Sequence, residues 1–202
     1  MVKAKAAGTS RRVTSRCGVP SLKSLKKFAT IPGFKIGGTY EIGNEAQYEF
    51  GGSGGTTLES LGASPLRTAY IATGTPETDE NGRITNAVII SSYYSGDSAW
   101  CYYYWFEGQE GNEFATGPVV GPGLIIDTNR FYVIFLDALG LWGASKPSDG
   151  LGMEFPQYSV LDCMQANYRL LQDELNVAKV KLATGVSMGA IQSYASDGSS
   201  TS

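Results

Sequence analysis

The chain has 202 residues, 42% of them hydrophobic, with three cysteines, no histidine and a formal net charge of -3. That length suits one domain with an ordinary core, and no apolar run reaches the roughly 18 residues of a transmembrane helix. The cysteines (Cys17, Cys101, Cys163) are widely spaced and unaccompanied by histidine, so they read as free thiols, and neither a metal site nor a disulfide framework is expected.

Charge is unevenly placed along the chain. Residues 1–40 hold nine of the 16 Lys and Arg and no acid. Segment 1–36 reads as a basic arm, either a solvated disordered extension or an organelle transit peptide, which leaves a cytoplasmic or an organellar location open. Nothing aromatic is interleaved with the basic residues before Phe28, so no nucleic-acid partner is expected, and no membrane partner either. Residues 37–195 read as the folded domain and 196–202 as a polar tail. Within the domain, residues 37–55 are polar and glycine-rich. Gly51-Gly-Ser-Gly-Gly55 lacks the Lys-Ser/Thr and the strand-to-helix setting of a phosphate cradle, so it reads as a loop.

The regular elements follow in order. Leu66–Thr73 is a strand, and Thr-Pro and Asn-Gly mark residues 74–83 as turns. Residues 87–90 and 131–136 are short, continuous apolar runs of the kind that form buried strands. Between them the aromatic cluster 100–106 fills a core or lines a pocket wall. Residues 159–174 are a helix: Ser159 and Asp162 form a capping box, and Leu161, Met164, Tyr168, Leu171 and Leu175 make one apolar stripe. Residues 179–184 are a strand, and a further helix follows Ser187.

Strands alternating with helices imply a mostly parallel sheet flanked by helices, with its chemistry at the carboxyl ends of the strands. Ser187 sits at that end of the last strand, in Gly185-Val-Ser-Met-Gly189. This is the sequence form of a nucleophile elbow, a tight strand-to-helix turn that exposes a serine hydroxyl. The amide after the nucleophile, here Met188, is then one oxyanion donor, and a second comes from the loop after an earlier strand, 92–98. A serine hydroxyl needs a neighbouring base, usually histidine, and this chain contains none.

An ordered string of segments resembles the homoserine O-acetyltransferase-like branch of the α/β-hydrolases over about residues 58–195. It comprises Leu58-Glu-Ser-Leu-Gly62, Leu66-Arg-Thr-Ala-Tyr70, Asn86-Ala-Val-Ile-Ile90, Ser95-Gly-Asp-Ser98, residues 121–134, Asp137-Ala-Leu-Gly140, Phe155-Pro156, Asp162, the elbow and Gln192. The resemblance implies a nucleophile at Ser187, oxyanion amides at Met188 and Tyr94, and an acyl-serine intermediate formed from a small-molecule ester or acyl donor. It implies no cofactor, with acetyl-CoA as acyl donor only for a transferase. Two departures, Ser92-Tyr-Tyr-Ser95 and the Val186 and Ala190 of the elbow, point to an ester-hydrolase-like relative. In the family the acid and the histidine follow the serine well downstream, whereas here 15 residues follow Ser187. The resemblance therefore implies a truncated α/β-hydrolase fold that lacks its later strands and C-terminal triad region. Its elbow strand would be an exposed sheet edge, and the chain would be inactive alone. The alternative is a non-catalytic binding or interaction fragment of the same fold.

Overall fold

A computed structural model describes residues 25–42, 46–49, 55–107 and 118–197. Most of the basic arm, residues 51–54 of the glycine-rich loop, Cys17 and most of the polar tail lie outside the described residues. The strands are β1 (Lys27–Ile31), β2 (Thr39–Ile42), β3 (Ala46–Glu49), β4 (Leu66–Thr73), β5 (Ala87–Ser91), β6 (Val120–Gly121), β7 (Ile126–Asp127), β8 (Tyr132–Leu136) and β9 (Val180–Gly185). The helices are α1 (Ser98–Tyr102), α2 (Val160–Arg169) and α3 (Met188–Asp197).

Five strands form the main sheet in the order β1-β4-β8-β5-β9, and β2-β3 and β6-β7 are separate two-stranded ribbons. β5 lies between β8 and β9 and runs parallel to both. All five of its residues are buried, which is why 87–90 reads as an unbroken apolar run rather than an alternation. β4 is antiparallel to both its neighbours. The sheet is therefore mixed, where a mostly parallel one is expected. Parallel neighbours need a crossover that covers the sheet, and helical crossovers occur only from β5 onward.

Residue parity divides the core between the two faces. Tyr70, Ala87, Ile89, Ile134 and Leu136 point to one face, against Leu170, Leu171 and Val177. Ile71, Val88, Ile90, Val133 and Phe135 point to the other, against Cys101, Val120 and Ile126. A third cluster gathers Ile31, Phe34, Ile36, Leu58, Leu66, Phe155, Cys163 and Ala166.

That cluster moves the domain boundary. Residues 27–36 are assigned to the basic arm by their charge, yet β1 pairs with β4 along its whole length. Ala29, Ile31, Phe34 and Ile36 are buried, and this apolar set outweighs Lys27 and Lys35. At the other end, α3 runs on to Asp197, into the expected tail.

One helix also differs from expectation. The 159–174 helix is α-helical only to Arg169 and then widens into a π-turn over Leu170–Glu174, closed by Leu175 N–H donating to Leu170 O at 3.1 Å. The wider turn lets the consecutive Leu170 and Leu171 both enter the core. The aromatic cluster is itself helical, α1 continuing as a π-turn over Tyr103–Glu107. Tyr102 stacks on Phe106 at 4.8 Å and meets the Phe135 ring edge-on at 5.5 Å, while Trp100 stays half-exposed. Among the described residues no helix is long and apolar enough to cross a membrane.

Candidate active site

The strand, tight turn and helix expected around Ser187 are all present. Ser187 joins β9 to α3 with φ +56°, one of three described non-glycine residues in the left-handed region. L-residues avoid this region because Cβ crowds the following carbonyl, so the conformation must be imposed by its surroundings. Its two glycines show how. A Cβ on Gly189 would collide with Ser91 O, and a Cβ on Gly185 would lie 2.5 Å from the Gly189 carbonyl carbon. The first turn of α3 is thus pressed onto the end of β5, and the strand-to-helix reversal is completed in the two residues between them, Val186 and Ser187. Ser187 is exposed at the tip. Met188 opens α3, so its N–H has no intrahelical acceptor.

The loop 92–98 leaves the carboxyl end of β5 beside this turn and is tied at several points. Ser92 N–H donates to Leu136 O at 3.0 Å, and the buried Gln192 of α3 donates through Nε2 to Ser92 O at 3.2 Å. Gln192 Oε1 in turn accepts from Asn167 Nδ2 of α2 at 3.4 Å. At the far end, Asp97 caps α1 by accepting from Trp100 N–H at 2.8 Å. Ser98 N–H donates to Asp137 Oδ1 at 2.7 Å, and Gly143 N–H to Asp137 Oδ2 at 3.0 Å. Lys26, immediately before β1, bridges the two carboxylates, with Nζ 2.5 Å from Asp97 Oδ2 and 2.9 Å from Asp137 Oδ2. A carboxylate taken out of water costs free energy unless a cation and donors of this kind meet it, and Asp137 is only 1% exposed.

Tyr94 therefore lies in a loop fixed at both ends, next to the elbow, with its ring exposed. Its phenol is within electrostatic reach of Tyr158, whose own pKa is raised above 10.0 chiefly by burial and further by Cys163 and Tyr94. The Tyr158 ring packs edge-on to Phe155 at 5.9 Å and against Gly140, where a Cβ would meet it. The structure thus places Ser187, Met188 and Tyr94 at one edge of the sheet. Cys101 and Cys163 are buried free thiols, each pushed up to about 12 by burial, so neither offers a thiolate at neutral pH. Among the described residues no group of three or more His, Cys, Asp or Glu could hold a metal ion.

The loop anchors leave little mark in the sequence. Lys26 was hidden among the cations of the arm. Asp137 and Gln192 were visible only as letters in motifs, although a Gln amid Met-Gly-Ala-Ile was a signal of an internal hydrogen bond.

No family model matches the chain. Among curated proteins it is 30% identical over 149 residues to a probable acyltransferase of Methanothermobacter thermautotrophicus, covering 73% of this chain and 40% of that protein. It is 33% identical over 145 residues to a homoserine O-acetyltransferase of Solidesulfovibrio magneticus, covering 67% and 35%. The chain thus spans about two fifths of the length of the relatives it matches. Among solved structures, the acetyl esterase MekB superposes on 86% of this chain and 41% of its own with a TM-score of 0.52 at 19% identity, a likeness of fold. The shared fold and the sequence relatives together make the chain a partial region of an α/β-hydrolase of the homoserine O-acetyltransferase-like branch.

Proposed function

We propose that Ser187 is the nucleophile position of a serine-dependent acyltransferase or ester hydrolase, and that the 202-residue chain does not catalyse by itself. The observation that supports this reading is the φ of +56° at Ser187, a strained conformation held between two glycines that have no room for a Cβ. Strain of this kind persists where the presentation of a side chain is needed.

In this reading Ser187 Oγ attacks the carbonyl of a small ester or acyl donor, and its proton passes to a base. The tetrahedral oxyanion is held by the Met188 and Tyr94 amides. Collapse breaks the bond to the leaving alcohol or thiol, which takes up the proton, and leaves an acyl-serine. Water or an alcohol then accepts the acyl group. Acetyl-CoA is the donor substrate if the acceptor is an alcohol. On this reading the chain brings the nucleophile and the oxyanion donors but no imidazole. That absence favours a second reading, a non-catalytic binding fragment of the same fold.

Exogenous imidazole separates the two. A fluorophosphonate probe should leave the chain unlabelled in plain buffer and label Ser187 slowly when imidazole is added, with no labelling of Ser187→Ala. Failure of imidazole to promote labelling would favour the binding fragment. Stoichiometric labelling without imidazole would overturn the expected inactivity.

A further inference from the structure

Tyr158 immediately precedes Ser159, the cap of α2, and packs on the same buried cluster as Met188, the first residue of α3. Two neighbours fix its ring. Phe155 meets it edge-on at 5.9 Å, and the phenol end lies against Gly140, where a Cβ would collide with both Oη and Cζ. Gly140 has φ +83°, so glycine is required there twice over, by its own backbone and by the phenol. It lies in the segment that leaves the carboxyl end of β8, and β8, β5 and β9 run parallel. The Tyr158 hydroxyl is thereby held at the sheet edge that carries Ser187.

That hydroxyl is free. A phenol with this much of its ring buried usually finds a partner within the protein, yet no described residue hydrogen-bonds to Tyr158. Unlike the Ser92 and Ser98 hydroxyls, its oxygen is not sealed from solvent. Its pKa, raised above 10.0 chiefly by burial and further by Cys163 and Tyr94, keeps the proton on at neutral pH. The group is therefore a fixed donor and is unsuited to act as the base. No cation is among the groups that act on it. A carboxylate brought there would lose water without gaining a counter-charge, so the acceptor it suits is an uncharged oxygen.

We propose that Tyr158 is a specificity-determining residue, its hydroxyl donating to a second, uncharged oxygen of the substrate, an ether, hydroxyl or carbonyl beside the reacting ester. The inference rests on the reading of Ser187 as a nucleophile. In that reading the Met188 and Tyr94 amides take the reacting carbonyl oxygen, which leaves the phenol for a neighbouring group. The substrate class is then an ester that bears a further neutral oxygen, in preference to a plain alkyl ester or one that ends in an anion.

Binding, not turnover, tests this in the full 202-residue chain. With tyrosine isotope-labelled at Cζ, the Tyr158 resonance is the one lost in Tyr158→Phe. Methyl methoxyacetate should shift that resonance and bind about fivefold more tightly than methyl acetate, the gain from one neutral hydrogen bond. Affinities are read from the ester methyl signals, so the same comparison runs in Tyr158→Phe, which keeps the ring and its packing. There the two esters should bind alike. Monomethyl malonate, with a carboxylate in the second position, should bind the parent chain no more tightly than methyl acetate. Equal affinities or no binding in the parent chain, a preference that survives Tyr158→Phe, or tighter binding of the malonate overturns the proposal. Imidazole-promoted fluorophosphonate labelling reports separately on Ser187. A preference that depends on Tyr158 in a chain that does not label upholds the subsite and counts against the nucleophile.

Discussion

Ser187 carries its strain in the backbone, so its cost can be measured without any chemistry. A left-handed φ costs an L-residue about 1–2 kcal/mol, and glycine escapes most of that. Ser187→Gly should therefore be more stable than Ser187→Ala by about 1 kcal/mol in urea unfolding. Equal stabilities would mean that the turn relaxes when the hydroxyl is gone. Gly189 is the opposite case. A methyl there meets Ser91 O, a backbone atom of a central strand that cannot move aside. Gly189→Ala should cost about 2 kcal/mol, read as a fall in melting temperature of roughly 4–8 °C for a chain of this size. The elbow was legible because both glycines are demanded by local crowding, which leaves a fixed pattern in five residues. The left-handed serine was implied by that pattern. The groups that hold the neighbouring loop were not, since Lys26 precedes β1, Asp137 follows β8 and Gln192 lies in α3, and they meet only in the fold.

Among the elements, β1 and the β5 loop depend on each other through one ammonium group. Lys26 is bound to Asp97 and Asp137, and its side chain is 10% exposed. Replacing it by methionine keeps the aliphatic stem and leaves two carboxylates facing each other with no cation. Breaking a buried pair from one side costs about 3–5 kcal/mol, and the two backbone donors to Asp137 reduce that to about 3 kcal/mol. Lys26→Met should show this loss in urea, with faster hydrogen exchange at residues 93–97 than in Lys26→Arg. β4, β5, β8, β9 and α2 were legible because each is a short window with its own period or cap. β1 was not: its alternating Ala29 and Ile31 are flanked by lysines, and it becomes a strand only by pairing with β4 some 40 residues later. The antiparallel direction of β4 was invisible for a related reason, because direction is set by the route of the connections and not by the strand's own residues.

For the whole molecule, the buried acids set the response to alkali. Cys101 and Cys163 are pushed up to about 12 by burial, and Tyr70, Tyr93, Tyr132 and Tyr158 are raised above 10.0, in each case chiefly by burial. The unfolded chain releases these protons at ordinary values, while the folded chain retains them. Above the unfolded pKa the unfolded state thus binds fewer protons, and stability falls as pH rises. The urea midpoint should be insensitive to these groups below about pH 8 and decline from about pH 9 upward. A midpoint that rose over that range would contradict the burial of the thiols. The bond between Lys26 and the β5 loop also sets a limit on processing. A protease that trims the basic arm can advance to Leu25 and leave the loop seated. One residue further removes the cation that Asp97 and Asp137 share, so the length of arm that can be cut away is fixed by what its last lysine holds.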